Sequence, residues 1–209
     1  MTGAIEESER PLAIAADLRR GDEVDALVGR AIEAKGRIDA CVNNAGLAGP
    51  VGVAVAELEP GAVTELYEVN VLGVLRVLRA VLPGMQARGS GRIVNIASGA
   101  GLAGAEHLAA YSSSKHAVVG LTRSLAREVA AEGISVNAVC PGCVESPMQD
   151  GIEAALAART GAPVSWLPAI PAGRYARPDE IANLVAYLAL EAPAYLTGAS
   201  IVIDGAMRA

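Results

Sequence analysis

The sequence is poor in aromatic residues, histidine and cysteine. It has no phenylalanine, aromatic residues make up 3% of the chain, and 209 residues include one tryptophan, two histidines and three cysteines. Three cysteines cannot build the disulfide framework of a small secreted domain. His107 and His116 have no acid and nucleophile at a spacing typical of a hydrolase triad. We also predict no metal site, because a zinc site would need more ligands than these residues provide.

The chain also lacks basic clusters and long apolar runs. Its formal charge is −6 with a pI near 5.0, and no group of Lys and Arg residues breaks that balance, so nucleic acid is not expected as a partner. Arg76 and Arg79 interrupt the apolar run from Val69 to Leu82, and no membrane helix or membrane partner is expected. The acidic start is unlike a signal peptide. We expect a cytoplasmic protein.

What the sequence does contain is an alternation of short β-branched runs with longer helical stretches. The predicted strands are Ala13 to Asp17, Ala40 to Asn43, Arg92 to Ile96, Ser135 to Val139 and Ser200 to Ile203. The predicted helices are Gly21 to Ala34, Gly61 to Val81, Tyr111 to Ala131 and Pro178 to Leu190. Most of these strands are apolar on both faces, which indicates a parallel sheet covered by helices. We predict one α/β domain, residues 1–209, with residues 147–176 as a candidate substrate lid.

The motif with the most specific chemistry is Tyr111-Ser-Ser-Ser-Lys115. A lysine four residues after a tyrosine lies on the same helix face, so its ammonium can approach the phenol. A phenol with a pKa of about 10 exchanges protons near neutral pH only when its anion is stabilised. We expect Lys115 to lower the pKa of Tyr111. Ser98 ends an apolar strand thirteen residues earlier, where its hydroxyl can donate to a carbonyl oxygen.

These residues belong to a larger set that resembles the short-chain dehydrogenase/reductase family. The resemblance extends from about Leu12 to Gly205, and the matching segments follow the family's order and spacing. They are Ala16-Asp17-Leu18, Asn43-Asn44-Ala45-Gly46, Asn70-Val71-Leu72-Gly73, Arg92 to Ser98, Tyr111 with Lys115, Pro141-Gly142, Arg177-Pro178-Asp179-Glu180 and Asp204-Gly205. The resemblance implies a Rossmann-like doubly wound parallel sheet.

The family's glycine-rich cofactor loop is not found in the sequence. A βαβ unit takes about thirty residues, and only sixteen precede Asp17. Thr2-Gly3-Ala4 looks like the start of the loop, but Ile-Glu-Glu-Ser-Glu-Arg-Pro follows it. We therefore expect an N-terminally truncated fold, without the first strand, glycine loop and second strand, and with weak dinucleotide binding. Its first strand, Ala13 to Asp17, would pair directly with Ala40 to Asn43, form an exposed edge or be covered by a partner chain.

Two further segments have the residue spacing of a known functional motif, but the secondary structure predicted around them does not fit that motif. Gly99, Gly101 and Gly104 spell G-x-G-x-x-G after a strand, but the segment does not open a helix as the dinucleotide fingerprint must. We expect it to be a loop on the substrate side, where His107 is a candidate substrate contact. Cys140-Pro-Gly-Cys143 spells C-x-x-C late in the chain, where reduced cysteines beside a turn are expected and a redox or metal pair is the alternative.

The resemblance also implies roles for individual residues. The catalytic set is Asn70, Ser98, Tyr111 and Lys115: Tyr111 is the acid/base, Ser98 orients the substrate, Lys115 also grips the nicotinamide ribose, and Asn70 holds a water that links Lys115 to solvent. The implied contacts to NAD or NADP are Asp17, Leu18, Asn43, Ala45, Tyr111, Lys115, Pro141, Gly142 and Val144. Read without the resemblance, Ser98 satisfies a turn, Asn70 kinks a helix, Asp17 caps a helix and Asn43 ties two strands.

The implied function is an NAD(P)-dependent oxidoreductase that interconverts a secondary alcohol and a ketone by hydride transfer, with Tyr111 as acid/base. The alternative is a non-catalytic scaffold or subunit that has lost dinucleotide binding, and a third hypothesis is a chain trimmed from a longer enzyme. The expected partners are a small-molecule alcohol or ketone and further copies of the chain. A homodimer or homotetramer through Gly61 to Val81 and Tyr111 to Ala131 is expected, because the first of these helices is apolar on more than one face.

Overall fold

Four parallel strands form the centre of the molecule in the computed structural model, which describes residues 11–209. They are β1 (Ala40–Asn43), β2 (Gly91–Ile96), β3 (Ile134–Pro141) and β4 (Ser200–Ile203), and they lie side by side in this order. In this register Asn43 lies beside Asn95, Ile96 beside Val139 and Pro141 beside Ile203. The carboxyl ends of β2, β3 and β4 therefore meet at one edge of the sheet.

Helices connect the strands and cover the sheet. They are α1 (Gly21–Lys35), α2 (Pro60–Tyr67), α3 (Val74–Arg88), α4 (Ala109–Val129), α5 (Pro147–Thr160) and α6 (Pro178–Leu190), with a π-helical segment at Glu68–Gly73 and short 3₁₀ turns at Val55–Glu57, Gly99–Gly101, Ala130–Glu132 and Leu167–Ala169. Within residues 11–209, no helix combines the length and the apolar character needed to cross a membrane. The predicted Rossmann-like α/β architecture is confirmed.

Alternating side chains divide the interior into two cores. Ile93 and Val136 point to the face covered by α1, α3 and α4, whereas Val94 and Val139 point to the face covered by α6 with Leu188. This alternation follows from the pleat of a strand, in which successive side chains leave opposite faces. Helices on both faces of the sheet explain why β3 is buried along nearly its whole length and why most of its residues are apolar, with Ser135 and Asn137 as the polar exceptions.

The predicted strand Ala13 to Asp17 is wrong. Its residues make no strand pairing, and the chain instead turns, with the Arg20 N–H donating to the Asp17 carbonyl at 2.9 Å. Leu18 then packs on Gly73, where a Cβ would lie 3.0 Å from the Leu18 Cβ. An apolar run becomes a strand only when a neighbouring strand offers hydrogen-bond partners, and this run contacts a helix instead. Among the described residues β1 is thus an edge strand, with Val42 43% exposed.

The predicted helix Gly61 to Val81 is present but not continuous, because its middle part is the π-helical segment Glu68–Gly73. Such segments are frequent at functional sites, and this one contains the buried Asn70. Arg76 donates to the Glu68 carbonyl at 3.1 Å and to the Leu18 carbonyl at 3.0 Å, so this charge ties the turn before α1 to the helix. Leu72 and Leu75 stay more than one-third exposed, and self-association through this helix stays a prediction.

Candidate active site

A cavity of about 380 Å³ opens at the carboxyl ends of β2 and β3. Ligands of open α/β sheets bind at this edge, because the loops that follow the strands leave a crevice there. The wall on the sheet side contains Ser98, Tyr111 and the Pro141-Gly142 turn, and the opposite wall comes from α5 and Trp166. Most of the lining is apolar.

Ser98 is the second residue after β2 and caps the start of the 3₁₀ turn Gly99–Gly101. Its hydroxyl oxygen accepts from the Ala100 N–H at 3.1 Å, so the turn-satisfying role is confirmed. A hydroxyl accepting one bond still has its proton to donate, so Ser98 also remains a donor for a ligand in the cavity. A Cβ at Gly101 would lie 2.8 Å from the Lys115 carbonyl oxygen. The glycine therefore allows this turn to contact the backbone of α4.

Tyr111 lies in the first turn of α4, and its hydroxyl is placed beside Ser98 at the cavity wall. Burial raises the pKa of Tyr111 above its ordinary value, and the neighbouring Ser98 hydroxyl offsets part of that rise. The expected lowering of this pKa by Lys115 is not found. The reason is geometric: the Lys115 ammonium lies over the ring, 5.8 Å from its centroid, rather than at the hydroxyl.

Lys115 is 5% exposed, and burial lowers its pKa from 10.5 to about 8. Its Nζ donates to the Ile96 carbonyl at 2.8 Å, and this is its only hydrogen bond within residues 11–209. An ammonium carries three N–H donors, so two are left for a ligand. A Cβ at Gly46 would lie 3.5 Å from Nζ and 3.3 Å from Asn70 Oδ1. The space in front of Gly46 therefore faces both polar groups.

Asn70 is 1% exposed and holds the loop after β1 against α4. Its Oδ1 accepts from the Leu47 N–H at 2.8 Å, while Nδ2 donates to the Leu47 carbonyl at 2.9 Å and to Ser114 Oγ at 3.1 Å. These bonds satisfy both amide donors, which explains how a polar side chain is tolerated in this core. A structural role is thereby established, and the expected water link to Lys115 stays a prediction.

Val144 offers an unused backbone donor to the cavity. Its neighbours Cys143 and Glu145 exchange hydrogen bonds with Ala176 at 3.0 and 2.9 Å, so the Val144 peptide groups point away from that bridge. Its carbonyl accepts from Ser146 Oγ at 3.2 Å, whereas its N–H has no partner among residues 11–209. Gly142 allows the close approach of this segment to Asp204, the residue after β4, since a Cβ there would lie 2.7 Å from the Asp204 Cβ.

Five of the predicted cofactor contacts do not line the cavity: Asp17, Leu18, Asn43, Ala45 and Lys115. The Asp17 carboxylate accepts from Arg19 at 2.6 to 3.0 Å, and these bonds lower its pKa to about 2. The alternative of a helix cap is wrong, because α1 begins after Arg20 with no side-chain cap.

Asn43 ties β1 to β2, as the structural alternative predicts. Its Nδ2 donates to Asn95 Oδ1 at 2.8 Å, and Asn95 Nδ2 donates to Thr122 Oγ1 of α4 at 2.9 Å. All three side chains are buried. This chain of hydrogen bonds fixes α4, and with it Tyr111 and Lys115, relative to the sheet.

The G-x-G-x-x-G and C-x-x-C segments form no phosphate loop, disulfide or metal site in the described part of the chain. The Gly99–Gly101 turn opens no helix, all three cysteines are free, and no group of acidic, histidine and cysteine residues there is arranged for a metal ion. Burial raises the pKa of the Cys143 thiol to about 11, which keeps it protonated and unreactive. His107 lies outside the cavity lining, so the prediction that it contacts substrate gains no support.

Sequence reasoning missed Met207 and Arg208, which line the cavity from the turn after β4. The resemblance ends at Gly205, and nothing in the spacing beyond it signals a site residue. It also missed Gln149 and Ile152, which α5 brings to the cavity. A signal for α5 was present: Ser146 before Pro147 is a typical helix start, and Ser146 Oγ accepts from the Gln149 N–H at 3.2 Å.

Comparison with known proteins identifies the class to which this fold and site belong. A family model described as enoyl-(acyl carrier protein) reductase matches residues 2–208. A putative ketoacyl reductase of Streptomyces coelicolor is 43% identical over 198 residues, which cover 91% of this chain and 75% of that one. Cis-4-hydroxycyclohexanecarboxylate dehydrogenase of Sinomonas cyclohexanicum is 38% identical over 200 residues, 96% of this chain and 78% of that one.

Solved structures of reductases have the same fold as this chain. Levodione reductase superposes with a TM-score of 0.87 at 34% identity, over 93% of this chain and 76% of that one. The 3-ketoacyl-(acyl-carrier-protein) reductase from Brucella melitensis, solved with NADH, gives a TM-score of 0.84 at 31% identity over 94% and 78%. The chain therefore belongs to the short-chain dehydrogenase/reductase family and is an oxidoreductase of that family.

Proposed function

We propose that this protein interconverts a secondary alcohol and a ketone with NAD or NADP. The observation that carries the proposal is the convergence of the Ser98 and Tyr111 hydroxyls on the wall of a mainly apolar cavity, with the buried Lys115 ammonium over the tyrosine ring. Related proteins support the same type of reaction, since their names denote reductases and dehydrogenases of keto and hydroxy compounds.

The residues at this edge of the sheet fit the nicotinamide end of such a cofactor. Lys115 has two unused N–H donors facing the space at Gly46, which suits the two hydroxyls of a ribose. The N–H of Val144, which has no partner within residues 11–209, suits a carboxamide oxygen. When bound, the nicotinamide supplies or accepts the hydride. The adenine contacts of Asp17 and Leu18, and those of Asn43 and Ala45, stay predictions.

In the direction of reduction, Ser98 donates to the substrate carbonyl oxygen and holds it beside Tyr111. Burial raises the pKa of Tyr111, so the phenol is protonated at neutral pH and is ready to act as the acid. Lys115, with a pKa of about 8, is mainly charged at neutral pH, and its unused N–H donors face the space at Gly46, where the nicotinamide ribose would bind. In the direction of oxidation, the tyrosinate accepts the alcohol proton. Asn70 acts as a positioning residue through Leu47 and Ser114.

Residues 147–176 supply the wall that faces the substrate. Met148 and Ile152 from α5 and Trp166 from the following loop contribute apolar lining. The Trp166 N–H donates to the Tyr175 hydroxyl at 3.2 Å, and that hydroxyl donates to the Glu153 carboxylate on α5. These bonds fasten the Trp166 loop to α5. We infer that the segment encloses the substrate and excludes water from it, as the predicted lid would.

The experiment is to compare the protein with its Tyr111→Phe variant in NADH- and NADPH-dependent reduction of a panel of ketones. We expect a loss of at least about a hundredfold in kcat, because the ring still packs while the proton donor is removed. Tyr195→Phe is the matched control, since that tyrosine is fully exposed and does not line the cavity.

Dinucleotide binding is measured in parallel by calorimetry. This separates a wrong role for Tyr111 from a protein that has no enzymatic activity. A Tyr111→Phe variant that turns over at the parent rate would refute the role of Tyr111. A parent protein that binds neither dinucleotide and reduces no ketone would favour the non-catalytic alternative.

A further inference from the structure

The cavity lining contains one charged side chain, Arg208. Apart from the hydroxyls of Ser98, Tyr111 and Ser146, the Cys143 thiol and the Gln149 amide, its other lining side chains are apolar. No carboxylate lies in the lining, and within residues 11–209 Arg208 forms no ion pair and no hydrogen bond. Arg19, Arg76 and Arg159, in contrast, each pair with a carboxylate at 2.6 to 2.8 Å. Arg208 is an exposed residue at the edge of the cavity, and since nothing in residues 11–209 pairs with its guanidinium, its N–H donors are available for a ligand there.

The turn after β4 holds Arg208 in this place. Gly205 and Ala206 both have left-handed backbones, with φ of 63° and 68°, and the Gly205 carbonyl accepts from the Ala172 N–H at 3.1 Å. A Cβ at Gly205 would lie 2.9 Å from Ile170 and Ala172, so the turn is tightly packed. A left-handed alanine is unfavourable and persists only where its surroundings determine it. The turn is therefore built to direct the chain back over the cavity.

The guanidinium lies next to the reacting centre. A Cβ at Gly99 would be 3.0 Å from Arg208 Nε, so the guanidinium packs on the residue that follows Ser98. Guanidinium groups bind planar carboxylates through paired N–H donors, and such pairs are stronger beside an apolar wall than in open water. A substrate whose carbonyl oxygen meets Ser98 and Tyr111 can place a carboxylate at Arg208 without leaving the cavity.

We propose that Arg208 determines specificity by binding a carboxylate carried by the ketone or alcohol substrate. This inference rests on the proposed function, because it names the class of substrate for the same site. A hydroxy acid or keto acid of moderate size fits both the single positive charge and the apolar walls of the cavity. A neutral ketone would lack a partner for the guanidinium.

The test compares two ketones of the same shape, 4-oxocyclohexanecarboxylate and the neutral 4-oxocyclohexanecarboxamide. For Arg208→Gln we expect kcat/KM to fall about tenfold or more with the acid and less than about twofold with the amide. Arg208→Lys should recover part of the loss, because it restores the charge without the paired donors. Arg30→Gln is the control, since Arg30 is an exposed residue of α1 outside the cavity lining.

Binding of both compounds to the dinucleotide-saturated protein is measured by calorimetry, which does not require turnover. Tighter binding of the acid that is lost in Arg208→Gln supports the inference even if neither ketone is reduced, and in that case the proposed function fails alone. Equal losses with acid and amide, weaker dinucleotide binding in Arg208→Gln, or an acid that binds no better than the amide in the parent protein would each overturn it.

Discussion

The cavity and the turn before α1 use polar residues in opposite ways. In the turn, Arg19 pairs with Asp17, Arg20 pairs with Asp22 and Glu23, and the Asp17 N–H donates to Glu23 at 2.8 Å. At the cavity, Lys115, Arg208 and the Val144 N–H have donors that no group within residues 11–209 uses. Folded proteins rarely leave buried polar groups without partners, so the unused donors of the buried Lys115 indicate where a ligand binds, while the paired groups hold the chain in place.

The largest expected effect on activity comes from replacing Lys115. Its ammonium has unused N–H donors, and its burial costs free energy of folding. Lys115→Met should lower kcat/KM by at least about a hundredfold, because it removes the buried ammonium beside the Tyr111 ring and the donors facing Gly46, which would hold the nicotinamide ribose. The free energy of unfolding at pH 7 should not fall. Burying the ammonium costs about 3 kcal/mol for a pKa that drops from 10.5 to about 8, and this exceeds the loss of the bond to Ile96.

The stability of the parent protein and that of Lys115→Met should depend on pH in different ways, and the direction of the difference follows from the lowered pKa of Lys115. The unfolded chain binds the lysine proton more tightly than the folded chain, so the parent protein should gain stability as the pH rises from about 8 to 10.5. Lys115→Met lacks this gain. Urea unfolding of both proteins at pH 7 and pH 10 measures it, and two curves that run parallel across this interval would contradict the burial cost.

A smaller effect, on stability rather than activity, is expected where polar groups are paired. Arg76→Ala should lower the free energy of unfolding by about 2 kcal/mol, because the carbonyls of Leu18 and Glu68 and the Glu68 carboxylate lose a charged donor. Arg79→Ala, three residues further along α3, is the matched control and should change stability by less than about 0.5 kcal/mol, since Arg79 is exposed. Equal effects in the two variants would show that the Arg76 contacts contribute nothing specific.

The smallest effect is expected at the exposed pair of Arg19 and Asp17. Arg19→Ala should raise the pKa of Asp17 from about 2 toward 3.8, because the guanidinium bonds are the main cause of its low value. A depressed carboxyl pKa contributes to stability above pH 3.8, and the contribution is lost as the pH falls toward 2. For an exposed pair this contribution is small, so stability at pH 7 should stay the same. Carbon-13 NMR titration of the Asp17 carboxyl measures the pKa, and an unchanged value would assign the shift to the backbone.

Much of the sheet was predictable from the sequence, since β2 and β3 are short segments rich in β-branched and other apolar residues whose central positions are buried. Ala13 to Asp17 has the same pattern but forms no strand, because a strand depends on a neighbour that its own residues do not specify. The catalytic neighbours were predictable from spacing, since Tyr111 and Lys115 share one helix face. Their electrostatics were not: the pKa of Tyr111 depends on burial and on an ammonium position that only the packed structure defines.

The residues that line the cavity from α5 and from the turn after β4 were harder to predict than Ser98 and Tyr111. Arg208 is placed by a left-handed turn at Gly205 and Ala206, and no sequence rule predicts a left-handed alanine. The π-helical segment around Asn70 could not be predicted either, because its residues fit the pattern of an ordinary α-helix. Both features depend on contacts between residues far apart in the chain.

The contact between Gly101 and the Lys115 carbonyl involves backbone atoms on the α4 side, while the substrate wall consists of side chains from α5 and the Trp166 loop. The spacing between Ser98 and Tyr111 is thus set by main chain that substitutions in the wall do not touch. An enzyme built in this way can be redesigned for a new substrate by exchanging residues such as Met148, Ile152 and Trp166, without readjusting the proton-transfer machinery.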